Sequence, residues 1–218
     1  MDPIKIILTG ATGFVGEGVL LECLQNNRVD EVLMINRKQV GLKHPKLKEL
    51  IVPDFMQLST YANLLKDYDA CFYCAGISSV GMNETAYTKI TYDTTLAFAH
   101  AILSVNDNLT FCLISGSHTD STEKGKIMWA RVKGKTENAL MRLPFKKEYN
   151  FRPGGMLPTA GQKNVRSLYK VIVKVIAVLS PKRVVTLSEV GRAMINAVVK
   201  GYDNPVLEMS DIKKLAQA

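Results

Sequence analysis

The sequence predicts an α/β fold, a doubly wound parallel sheet with helices on both faces. Apolar, β-branched runs alternate along the chain with helical periodicities, the pattern of successive βαβ units. The runs are nearly continuously apolar, as strands covered on both faces must be. The first of them ends in a glycine-rich turn that opens a helix, "TGATGFVG".

"IKIILTG" (4–10) is the first strand, and "FVGEGVLLECLQNN" (14–27) is an amphipathic helix that stops at its asparagines. "DEVLMINR" (30–37) forms the second strand, and "LKELIVPDF" (47–55) contains a third. Helical signals over 59–67 lead to the strand "DACFYCAG" (69–76) and then to a long helix over 83–103. "LTFCLISGS" (109–117) is the next strand. A helix starting near Glu123 or Lys126 and ending at Leu143 precedes the strand "YNFRPGG" (149–155). Beyond it the pattern loosens into a loop and helices at 165–180 and 188–200. The chain reads as one dinucleotide-binding domain, 1–218, with about 155–185 and the C-terminal helices as a small substrate-side lobe.

An apolar fraction of 47% against 22% charged residues is that of an ordinary globular protein. No apolar run is long enough to span a bilayer, and "MDPIKIILTG" lacks the marks of a signal peptide, so the expected address is cytoplasmic. Cys71 and Cys74 form a C-x-x-C, but on a strand they point to opposite faces. With Cys23 and Cys112 they are expected as buried hydrophobes, and no metal site is expected. The net charge of +8 is spread along the chain without interleaved aromatics, which argues against nucleic acid. One segment, "KNVRSLYKVIVKVIAVLSPKR", sets Lys163, Arg166, Lys170 and Lys174 around an apolar face. It suits either the protein's own core or an anionic membrane surface, the core being the commoner use.

Gly10, Gly13 and Gly16 fall where a first βα turn needs glycine. One makes the tight turn, one lets the backbone approach a pyrophosphate, and one lets helix pack on strand. The helix N-terminus then offers free N–H groups to the phosphates. The end of the second strand meets the adenosine ribose in such folds, and an NAD enzyme tends to place a carboxylate there. Here it reads Asn36-Arg37-Lys38, two cations and no acid, which favours NADP(H) over NAD(H).

The G-x-x-G-x-x-G spacing resembles the extended and atypical short-chain dehydrogenase/reductases, which include epimerase/dehydratase-like proteins with Rossmann folds. Further motifs agree in order: "PDF" with Asp54, "CAG" (74–76), "LISGS" (113–117), "VKGKTENAL" (132–140), "FRPGGMLP" (151–158) and "TLSEVGRAMINAV" (186–198). The resemblance implies a cofactor site of Gly10, Thr12, Gly13, Phe14, Val15, Gly16, Asn36, Arg37, Lys38, Asp54, Phe55, Cys74, Ala75, Gly76, Lys133, Pro153 and Gly154. It also implies dimerisation through the helices at 83–103 and 126–143 as an option of the family.

That family's catalytic pair is Tyr-x-x-x-Lys with a serine on the preceding strand. Lys133 matches the lysine, and Ser115 and Ser117 are candidates for the serine, Ser117 being nearer the usual spacing. The tyrosine position holds Trp129, whose indole donates a hydrogen bond but has no proton to exchange. His118, Tyr87 and Tyr92 are substitutes on paper. The resemblance thus implies an NADP(H)-dependent oxidoreductase with a non-standard proton donor, acting on a small molecule that the sequence does not name. The alternative is a catalytically silent, NADPH-sensing regulator that acts through a protein partner. A sugar-nucleotide epimerase fits less well, because those enzymes carry the tyrosine and a larger substrate domain.

Overall fold

The computed structural model describes residues 3–165 and 184–218. Seven parallel strands form one sheet in the order β3-β2-β1-β4-β5-β6-β9. They are β1 (Ile4–Thr9), β2 (Val29–Asn36), β3 (Leu47–Ile51), β4 (Ala70–Tyr73), β5 (Thr110–Ile114), β6 (Lys147–Phe151) and β9 (Val206–Leu207). A separate parallel pair joins β7 (Gly155–Leu157) to β8 (Val184–Thr186). The strand order reverses between β1 and β4, so a crevice opens beyond their C-terminal ends.

Alternation along the strands fills two cores. Ile6 and Leu8 of β1 and Met34 of β2 face α1 (Phe14–Gln25), α5 (Leu187–Lys200) and α6 (Met209–Ala216). Ile7 and Ile35 face the other layer, which holds a 3₁₀ run (Phe55–Leu65), α3 (Thr94–Leu103) and the end of α4 (Met128–Leu140). α1 and α5 approach closely because glycines meet side chains at the crossing. A Cβ on Gly18 would lie 2.5 Å from Leu187, and one on Gly191 would lie 2.9 Å from Glu22.

Several predicted boundaries move for identifiable reasons. β4 stops at Tyr73 rather than running to 76, because the Thr9 hydroxyl takes the N–H groups of Cys74 (3.2 Å) and Ala75 (3.1 Å). The helix expected over 83–103 is α2 (Glu84–Thr88), one π-helical turn (Lys89–Asp93) and α3. There the Thr94 and Thr95 hydroxyls bond back to the carbonyls of Lys89 and Thr91 at 3.0 and 2.7 Å. α4 starts only at Met128, since Glu123 sits at φ +61 and Ile127 is extended. β6 ends at Phe151, two residues before Pro153, which has no N–H for a ladder. The helical signals at 59–67 appear earlier, as the 3₁₀ run that Asp54 caps through the Met56 N–H at 3.0 Å.

The C-terminal helices are not a lobe apart: α5 and α6 belong to the core under β1. Residues 166–183, with most of the helix expected at 165–180 and its basic face, lie outside the described residues. No helix among the described residues is long and apolar enough to cross a membrane.

Candidate functional site

At the β1–β4 crevice lies a cleft of about 330 Å³. Its walls include Gly10, Thr12 and Gly13 from the first turn, Asn36 and Arg37 from the end of β2, Asp54 and Phe55 at the start of the 3₁₀ run, and Cys74, Ala75 and Gly76 after β4. Gly10 holds φ +75, and a Cβ there would stand 2.5 Å from the Cys74 carbonyl oxygen. A Cβ on Gly16 would come within 2.1 Å of the Gly10 carbonyl oxygen. At Gly10 and Gly16 the first turn thus has no room for a Cβ. Its main chain forms the floor of the cleft, and Gly13 at the α1 N-cap has no side chain to bond the first helical turn. These features fit a dinucleotide: backbone at a helix N-terminus for the phosphates, and apolar walls such as Ile35 and Phe55 for the adenine.

At the adenosine end, Arg37 is exposed and has no carboxylate partner among the described residues. The sequence reading missed Glu49, which β3 places beside Asn36. Its Oε1 accepts from Asn36 Nδ2 at 3.1 Å and from the Val40 N–H at 3.0 Å, so it is engaged within the fold. Only the pairing of β2 with β3 reveals it.

Behind Ala75, Gly76 and Ile77 a second cavity, about 40 Å³, adjoins the cleft. Ser115, Lys133 and Tyr87 line it, with the threonines Thr91, Thr95 and Thr136. Lys133 Nζ donates to the Ser115 carbonyl at 2.7 Å. Burial lowers the pKa of this amine below the ordinary lysine value, and the Glu137 charge opposes that shift. Burial raises the pKa of the Tyr87 phenol, and its contact with Thr91 partly offsets this. The Ser115 hydroxyl lies 3.0 Å from that of Thr119.

Other expected site residues stand apart from both cavities. Trp129 is half-buried on the first turn of α4, and it lines neither. Ser117 gives its N–H to the Pro153 carbonyl at 3.1 Å and lines neither cavity. His118 is exposed on left-handed backbone (φ +65). Tyr92 carries the Lys135 ammonium 4.4 Å from its ring centre. Lys38, Phe14, Val15, Gly16, Pro153 and Gly154 do not line the cleft. Thr9, which seams β1 to β4, and the threonines of the second cavity had no signal in the sequence beyond their types.

Cys23, Cys71 and Cys112 are buried as expected, whereas Cys74 is half-buried and lines the cleft. Cys71 belongs to one core and Cys74 packs against the other. Burial raises all four thiols, and no group of metal ligands occurs among the described residues.

Comparison with known proteins agrees with this fold. Protein HTATIP2 of Rattus norvegicus is 25% identical over 159 residues, covering 72% of this chain and 64% of its own. A leucinostatins biosynthesis cluster protein T of Purpureocillium lilacinum is 30% identical over 145 residues, 64% of this chain and 52% of that one. The chain thus spans between about half and two thirds of these first relatives. Protein fmp52, mitochondrial, of Emericella nidulans is 25% identical over 217 residues, 93% of this chain and 90% of that one. Among solved structures, the Bordetella bronchiseptica enzyme WbmF in complex with NAD+ superimposes with a TM-score of 0.68 at 14% identity, covering 99% of this chain and 77% of that one. A short-chain dehydrogenase from Burkholderia cenocepacia in complex with NADP gives a TM-score of 0.64 at 15% identity, covering 99% and 92%. The model of the NAD dependent epimerase/dehydratase family matches residues 6–119, more than half of the chain, and the protein belongs to that family.

Proposed function

We propose that the protein binds NADP(H) and reduces a small-molecule acceptor without the family's tyrosine. The observation that carries the cofactor choice is Arg37 at the adenosine end of the cleft, without a carboxylate partner among the described residues, while Glu49 of β3 is bonded to Asn36 and Val40. A 2′-phosphate would meet a free guanidinium there, whereas an NAD ribose would lack the acid that usually accepts its hydroxyls.

Gly10, Thr12 and Gly13 would hold the pyrophosphate, Arg37 the 2′-phosphate, and Asp54 and Phe55 the adenine edge. Cys74, Ala75 and Gly76 would flank the nicotinamide half, with Lys133 behind them. When bound, the nicotinamide supplies hydride chemistry; the chain supplies orientation, exclusion of water and a proton. Acceptors that need little acid assistance, such as quinones or flavins, suit a site without the tyrosine.

The second reading is a cofactor-binding regulator that senses NADPH without turnover. Trp129 favours it, since no indole replaces a phenol as an acid. A homodimer through the helices expected at 83–103 and 126–143, and a cytoplasmic address, belong to the same proposal. The mitochondrial label of the fungal relative makes fractionation the check on the latter.

Calorimetric titration with NADPH and NADH tests the reading, followed by a panel of carbonyl, quinone and flavin acceptors. Tighter binding of NADPH with oxidation on some acceptor is the expected result. Tight binding with no oxidation on any acceptor supports the regulator instead, and equal affinities for the two dinucleotides sink the NADP(H) assignment.

A further inference from the structure

We propose that Lys133 itself gives up the proton a reduction consumes, with Tyr87 as the positioning residue that holds a water against its amine in the small cavity. The proposal rests on the reductase reading above and names the donor that Trp129 cannot be.

The other candidates fall away on position. The Ser115 hydroxyl is engaged with Thr119, and Ser117, His118 and Trp129 reach neither cavity. Tyr92 lies under Lys135. Lys133 has three N–H donors, of which the Ser115 carbonyl takes one at 2.7 Å. No carboxylate among the described residues pairs with it. Glu137, one turn further along α4, is bound by Arg152 Nε at 3.1 Å through both its oxygens.

The remaining N–H bonds face a cavity of about 40 Å³, which has room for a water or two. Thr95 and Thr136 spend their hydroxyl protons on the carbonyls of Thr91 and Val132, at 2.7 and 2.8 Å. Their oxygens are left with lone pairs to accept from a water. Tyr87 is the one phenol on this wall among the described residues, and it is 2% exposed. Burial keeps the phenol protonated and neutral, so it solvates the amine without pinning its positive charge. A buried ammonium outside an ion pair gives up its proton more readily than one paired with a carboxylate, and the Glu137 charge offsets this only in part.

In the step, the acceptor carbon gains a hydride, with its two electrons, from a reduced nicotinamide. The acceptor oxygen forms an O–H bond as one Nζ–H bond breaks. The resulting neutral amine regains a proton from the cavity water as that water takes one from solvent, so no hydroxide is left behind.

The test has a spectroscopic arm and a kinetic arm, both on the full chain. Lysine side-chain NMR of labelled, cofactor-free protein should show one amine that titrates below the others and is absent in Lys133→Arg. Tyr87→Phe, which keeps the packing and removes the hydroxyl dipole, should move that midpoint further down, while Tyr92→Phe leaves it in place. With saturating NADPH and an acceptor that turns over, Lys133→Arg should lose about 100-fold in kcat. Tyr87→Phe should move the pH profile of kcat in step with the NMR midpoint. A Lys133 that titrates with the other lysines, or is indifferent to Tyr87, overturns the proposal, as does full turnover in Lys133→Arg; the reductase reading survives either result. NADPH binding without turnover on any acceptor defeats the reductase reading, and the donor role falls with it.

Discussion

Arg152, one residue past the end of β6, grips Glu137 of α4 through Nε at 3.1 Å to each carboxylate oxygen, and its Nη2 bonds the same carboxylate. Nη1 reaches Glu208 at 3.2 Å, and Nη2 also donates to the Ser121 hydroxyl at 2.6 Å. Glu137 is fully buried, so the pair ties α4, the loop after β5 and the start of α6 around one charged center. Removing one partner of such a pair leaves a charge with no solvent to receive it. Arg152→Met is therefore expected to cost about 3–5 kcal/mol in urea unfolding. The double variant Arg152→Met/Glu137→Leu should cost clearly less than the sum of the single changes. Additive costs would show that the two side chains act independently.

Gly10 and Gly76 both line the cleft, but only Gly10 is confined. At φ +75 its added Cβ would meet the Cys74 carbonyl at 2.5 Å, whereas one on Gly76 meets nothing within 4 Å. Gly10→Ala is expected to lower the melting temperature and weaken NADPH binding more than tenfold, since the turn must shift to admit the methyl. Gly76→Ala should leave the melting temperature unchanged. A Gly10→Ala protein that melts and binds like wild type would refute the tight turn described here.

Arg37 has no carboxylate partner among the described residues, and on the proposed reading its charge sets the cofactor ratio. Arg37→Glu is expected to weaken NADPH by about ten- to a hundredfold, the value of one or two charge-assisted hydrogen bonds, and to improve NADH relative to it. Dissociation constants for both dinucleotides, measured at one salt concentration, check this. An unchanged ratio would place the 2′-phosphate elsewhere.

Glu148 of β6 carries a pH dependence. Burial first, and then the Glu137 charge, hold its carboxyl well above the usual carboxylate range. Its Oε1 and the Asn150 Oδ1 are buried without hydrogen-bond partners, although Asn150 Nδ2 reaches Oε2 at 2.9 Å. The unfolded chain releases this proton near pH 4.3 while the folded chain keeps it. Stability therefore falls as pH rises through that value, and goes on falling until the folded carboxyl ionises. Glu148→Gln removes the difference in bound protons. It is expected to stabilise the protein by about 1 kcal/mol or more at pH 7 and to change little near pH 4. An equal effect at both pH values would rule out the proton linkage.

The sequence alone was enough for the architecture, because a parallel sheet writes itself as apolar runs and its phosphate turn as spaced glycines. Gly10, Gly13 and Gly16 were legible for the reason that the structure shows: backbone packs where a Cβ would stand. The Asn36-Arg37 end of β2 was legible as chemistry, since its position follows from strand order. Element ends were less so. Where β4 stops depends on the Thr9 hydroxyl, a contact 65 residues away in sequence, and the long helix before β5 hides a π-turn made by threonine hydroxyls bonding backwards. The spacing of Trp129 and Lys133 places both on one face of a helix, yet only Lys133 reaches a cavity. Helical periodicity fixes which residues share a face; what lies opposite that face is set by other elements. α2 brings Tyr87 to Lys133, and β3 brings Glu49 to Asn36. Such meetings of residues distant along the chain are made by packing, and only the tertiary structure decides them.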